Sequence, residues 1–182
     1  TSSSSGITIR TGHTVTITAP ETAKLLTIQT GATLTYANQA GGGYDLDIAD
    51  GTGDDLQISG TLEIFGNAPN FPTAISTFRV FNGGIVKVNG NVSPNTSDDF
   101  GFSTKGYWNT GAIFEWNSTA FFQTSGIDYF PNAAATDIAI FRLSQPIAGL
   151  GGGSTTRFLG RFEANANVSF QFGGTKIFRN GI

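Results

Sequence analysis

The densest group of residues able to do chemistry is the run Asp45-Leu46-Asp47-Ile48-Ala49-Asp50-Gly51-Thr52-Gly53-Asp54-Asp55. Carboxylates alternating with apolar residues, followed by a Gly-rich turn and two more carboxylates, could gather hard oxygen ligands for Ca²⁺. Asp45 and Asp47 would leave one face of a strand, with Asp50, Asp54 and Asp55 on the loop after it. The spacing is not that of an EF-hand, which needs a terminal bidentate Glu. The competing reading is a solvated acidic loop that discourages edge aggregation. Apart from a possible Ca²⁺, no cofactor is expected.

A second group is the pair Asp98-Asp99, since paired carboxylates are what a glycosidase needs as acid and base. Polygalacturonases that use adjacent aspartates also carry Asn-Thr-Asp, Gly-His-Gly and Arg-Ile-Lys stretches, and none of the three occurs here. The chain has no Cys and one histidine, His13, far in sequence from these acids. Thiol catalysis and a His-rich metal site are thereby excluded, and no nucleophile elbow is present for serine hydrolysis. The expectation is a protein with no catalytic residues. A third group is aromatic: Tyr44, Tyr107 and Tyr129 could stack on sugar rings, or equally cover the body of the fold.

Composition narrows the classes further. The net charge is -3, only 13% of residues are charged, and ten Lys+Arg give no long-range attraction for nucleic acid. No apolar run approaches the length of a bilayer-crossing helix. A chain without Cys or Met is indifferent to the redox state of its compartment and suits an extracellular setting. Gly occurs 25 times, β-branched and aromatic residues abound, and no stretch sustains helical apolar spacing. The chain reads as all-β.

The elements that would position these residues appear as a repeat. Ile9-Arg10-Thr11-Gly12 leads to Val15-Thr16-Ile17, and Ile28-Gln29-Thr30-Gly31 leads to Leu34-Thr35-Tyr36. Val80-Phe81-Asn82-Gly83 and Trp108-Asn109-Thr110-Gly111 repeat the pattern, and Ile58-Ser59-Gly60 repeats it with one residue fewer. Phe162-Glu163-Ala164-Asn165 is aligned as a further copy, with Asn at the Gly place. Three inward columns result. One is Val15, Leu34, Leu62, Val86, Phe114 and Val168; another is Ile17, Tyr36, Ile64, Val88, Trp116 and Phe170; the third is Ile9, Ile28, Ile58, Val80, Trp108 and Phe162. Between the first two runs the outward column Thr16, Thr35, Glu63, Lys87, Glu115 and Ser169. One coil is missing from the first column before Val168, and Ile138 and Ile140 are expected to supply it.

Period-two strands with one buried face give this apolar-in, polar-out alternation. The repeated Gly or Asn marks a corner needing positive φ. An antiparallel meander would not need the same corner at the same offset from the same columns. Steps of about 19 to 28 residues between columns are those of a solenoid. The spacing predicts a right-handed parallel β-helix over residues 6–182 as a single domain, with residues 1–5 a flexible linker or cut end. Thr14-Val15-Thr16 and Thr33-Leu34-Thr35 look like threonine rows of an ice-binding surface, but the column runs on into Glu63, Lys87 and Glu115. The corner motif returns at Phe178-Arg179-Asn180-Gly181, one residue before Ile182, from which a native chain with further coils is expected.

The repeats Gly12-His13-Thr14-Val15-Thr16-Ile17 and Leu26-Thr27-Ile28-Gln29-Thr30-Gly31-Ala32-Thr33-Leu34-Thr35 resemble the β-helical repeats of large secreted surface proteins of Bacteroidota. The stretches Gly111-Ala112-Ile113-Phe114-Glu115-Trp116-Asn117 and Gly126-Ile127-Asp128-Tyr129-Phe130-Pro131-Asn132 are similar to a recurring segment of the same group. The resemblance implies an adhesin-like protein exported by the type IX secretion system, located outside the cell or on its surface. It brings no catalytic residues. The expected function is therefore a structural or adhesive solenoid segment whose partners are glycans, surface or secretion-machinery proteins, and further coils of its own chain. A carbohydrate-binding or carbohydrate-active, pectate-lyase-like β-helix stands as the alternative.

Overall fold

A computed structural model describes residues 6–19, 21–36, 46–48, 53–65, 77–89, 106–119, 122–123, 128–129, 139–151, 156–158, 160–170 and 176–178. The chain winds as successive coils. The first holds Ile7–Ile9 (β1), Thr14–Ile17 (β2) and Glu21–Ala23 (β3), and the second Leu26–Ile28 (β4), Thr33–Tyr36 (β5) and Leu46–Ile48 (β6). Leu56–Ile58 (β7) and Thr61–Phe65 (β8) follow, then Phe78–Val80 (β9) and Ile85–Asn89 (β10). Next come Gly106–Trp108 (β11), Ile113–Asn117 (β12) and Phe122–Gln123 (β13). Asp128–Tyr129 (β14), Ile140–Leu143 (β15) and Ile147–Gly151 (β16) form another turn of the winding. Thr156–Phe158 (β17), Arg161–Ala164 (β18), Val168–Phe170 (β19) and Lys176–Phe178 (β20) close the described chain.

Strands pair with their equivalents one coil away, and every pairing is parallel. The order β1-β4-β7-β9-β11 makes one sheet and β2-β5-β8-β10-β12-β15-β18 a second. Shorter sheets are β3-β6, β13-β16-β19 and β14-β17-β20. Parallel neighbours joined by whole coils rule out a meander, whose hairpins would be antiparallel. The protein is an all-β parallel β-helix.

The corner between the first two sheets is a turn with a physical requirement. The amides of His13, Ala32, Gly84 and Ala112 donate to the carbonyls of Arg10, Gln29, Phe81 and Asn109 at 3.1, 2.9, 2.9 and 2.9 Å. Its third residue is Gly12, Gly31, Gly83 or Gly111, with φ between 74° and 79°. Positive φ at that place belongs to a type II turn and favours Gly. The short corner Ser59-Gly60 instead lets both its amides donate to the carbonyl of Ile28, at 2.8 and 3.0 Å.

The three inward columns run in register through the first five coils, as Val15, Leu34, Leu62, Val86 and Phe114 show for one of them. Beyond Phe114 the structure departs from the sequence alignment. Phe114 pairs with Phe141 and Phe141 with Phe162, so Phe162 sits in the first column, not the third. Phe141, and not Ile140, supplies the missing coil; Ile140 is half-buried and pairs with Ile113. Val168 pairs with Ile147 on a different sheet, so Val168-Ser169-Phe170 does not continue these columns. The cause is the corner. The second-sheet strand opens at Arg161, so its corner comes before Arg161, and the bend at Asn165-Ala166 leads on to β19 of another sheet. Ile138 lies outside the described residues.

Aromatic rings fill the later coils. Phe114 and Phe141 stack at 5.3 Å between centroids, and Phe141 and Phe162 at 5.8 Å with planes 7° apart. Trp108 stands edge-on to both Phe78 (5.9 Å, 88°) and Phe114 (6.2 Å, 73°), joining the two sheets. Each such pair contributes about 0.5–1.5 kcal/mol beyond burial. A fourth inward column, Ile7, Leu26, Leu56, Phe78 and Gly106, ends on a glycine. A Cβ at Gly106 would land in the ring of Phe78, so that ring occupies the volume two coils would otherwise share.

Gly106→Ala is expected to cost about 1–3 kcal/mol, the range for overpacking a dense core. Combined with Phe78→Leu, which empties the contested space, it should lose less than the sum of the two single changes. Urea midpoints at unchanged m-value measure this, and simple additivity would show that Gly106 and Phe78 do not compete for volume.

Candidate ligand-binding face

The outward residues of the first sheet stand in one in-register row: Thr8, Thr27, Gln57, Arg79 and Tyr107. Period-two alternation puts them there, each flanked by inward neighbours such as Phe78 and Val80 around Arg79. The row changes chemistry along its length, from hydroxyls to a guanidinium and an aromatic ring.

Arg79 organises the last part of the row. Its Nε lies 2.6 Å from Asp54 Oδ2, and its Nη1 donates to Asn109 Oδ1 at 3.4 Å. Its guanidinium carbon is 5.0 Å from the centroid of the Tyr107 ring. Such a cation–π contact is worth about 0.5–1 kcal/mol at an exposed site. The ion pair, a fifth to a third exposed, adds at most about 1 kcal/mol once solvent screening is counted. The product is a fixed patch of carboxylate, guanidinium, amide and ring. It can offer hydrogen bonds and a stacking plane.

The sequence candidates separate accordingly. Asp54 is held by Arg79, while its neighbour Asp55 is buried and accepts a hydrogen bond from the Thr77 amide at 2.9 Å. The Asp55 main chain also bridges coils, donating to Thr77 O at 2.9 Å and accepting from the Leu26 amide at 2.8 Å. Asp55 thus staples three successive coils. Asp47 is the middle residue of β6, opposite Thr22 of β3; Asp45 and Asp50 lie outside the described residues. Among the described residues no three His, Asp or Glu side chains gather as a metal site. Tyr107 is 40% exposed. Tyr129 ends β14 opposite Phe158, and Tyr44, Asp98 and Asp99 lie outside the described residues. His13 is an exposed corner residue whose amide donates to Arg10 O.

Sequence reading missed Arg79, which is an ordinary outward residue until the fold brings Asp54, Tyr107 and Asn109 to it. It also missed the last two members, Arg142 and Glu163, of a charged row on the second sheet. Glu63, Lys87, Glu115, Arg142 and Glu163 follow one another in register with alternating sign. Lys87 lies 3.7 Å from Glu63, and Arg142 lies 3.8 Å from Glu115 and 2.9 Å from Glu163. Arg161 bonds Glu163 as well. Beside this row, Asn117 Nδ2 donates to Asn89 Oδ1 at 2.6 Å and Gln145 Nε2 to Asn117 Oδ1 at 2.9 Å. The outer face of the second sheet is thus occupied by groups that bond each other. Comparison with protein-family models, curated proteins and solved structures gives no match for the chain.

Arg142→Glu would set three carboxylates in succession on adjacent strands. Losing two partly exposed pairs and gaining repulsion should cost about 1–2 kcal/mol, since cross-strand charge pairs contribute roughly 0.2–1 kcal/mol each. Raising the salt to about 0.5 M should shrink the loss by screening. Urea denaturation at both salt levels checks this; a loss unchanged by salt would trace it to packing of the arginine stem.

Proposed function

We propose that the chain is a structural or adhesive β-solenoid segment of a large secreted or cell-surface bacterial protein. The observation that supports this best is the seven-strand, in-register second sheet whose outward charges are satisfied within their own row. Such a surface makes a stiff support and aims little reactive chemistry at a substrate. The resemblance of its repeats to Bacteroidota surface proteins supports export by the type IX route and an adhesin-like role. Further coils of the same chain, surface proteins and secretion machinery are its natural partners in this reading.

One observation favours the second reading, a carbohydrate-binding solenoid. Tyr107 presents an exposed ring beside a guanidinium, a carboxylate and an amide, the groups with which proteins commonly hold a sugar ring and its hydroxyls. Because Asp54 neutralises Arg79, the patch suits neutral sugars better than acidic ones. In this reading the face grips glycans and does not cleave them.

A glycan array combined with a reducing-sugar assay separates these readings. The expected result is binding without release of reducing ends. Where a glycan binds, Tyr107→Ala should weaken it by at least about tenfold, equivalent to about 1.4 kcal/mol, while Tyr107→Phe keeps it. Sugar release that disappears in Asp98→Ala or Asp99→Ala would make the protein an enzyme and overturn the proposal.

A further inference from the structure

We draw no further inference here: the strongest candidate, the outward row of half-buried isoleucines Ile85, Ile113 and Ile140 beside the charged row of the second sheet, is an apolar sheet face and nothing in the structure shows what covers it.

Discussion

Parallel stacking places each residue against the residue one coil away, about 4.8 Å distant in the hydrogen-bonding direction. Everything else in this structure follows from that short repeat. A column cannot mix a charge into an apolar row without burying it, and it cannot hold two large rings unless they are stacked or one neighbour is small. The phenylalanines answer the constraint by stacking, as Phe114, Phe141 and Phe162 do. Phe78 answers it in the other way, by lying over Gly106. Trp108, edge-on to Phe78 and Phe114, ties the two solutions together across the interior.

The same distance governs the outside. Two like charges at this spacing repel by roughly 1 kcal/mol even in water-like surroundings, so a charged row is tolerable only if its signs alternate. Glu63, Lys87, Glu115, Arg142 and Glu163 obey that rule. Any one such pair at a partly exposed site adds little stability. Its effect on specificity is larger. A strand that skipped a coil would set Glu63 beside Glu115, or Lys87 beside Arg142, while the apolar columns would hardly register the error. The core therefore fixes which face is inside, and the charged row helps fix which coil is next.

The fold was legible because columns and corners are local patterns repeated at a distance. The alignment failed where two local signals competed. Leu159-Gly160 and Ala164-Asn165 each resemble a corner, and only burial decides between them: Phe162 is fully buried against Phe141, which requires the turn to come before Arg161. Ile140 and Phe141 posed the same problem, since both are apolar and period two does not say which faces in. The candidate site was legible only in pieces. Asp54 finds Arg79 25 residues away, and Asp55 finds the Thr77 amide 22 residues away. Those separations are one coil long, so adjacent aspartates of similar appearance take different partners and different burial for reasons that no local window contains.

Tyr107 shows how an outward strand position can carry surface chemistry. In the middle of the first sheet an outward side chain has a neighbour on both sides, as Arg79 lies between Gln57 and Tyr107. Among the described residues β11 is the last strand of that sheet. β14 pairs with β17 and β17 with β20, as a separate parallel sheet. Tyr107 is backed by Arg79 on one side and is 40% exposed. Its ring lies against the guanidinium and stays exposed. An exposed aromatic on a flexible loop would lose conformational freedom on meeting a ligand. One anchored on a strand, over an arginine already fixed by Asp54, has surrendered most of that freedom in folding. A solenoid can thus gain a preorganised contact point at an outward strand position, with no loop devoted to the task.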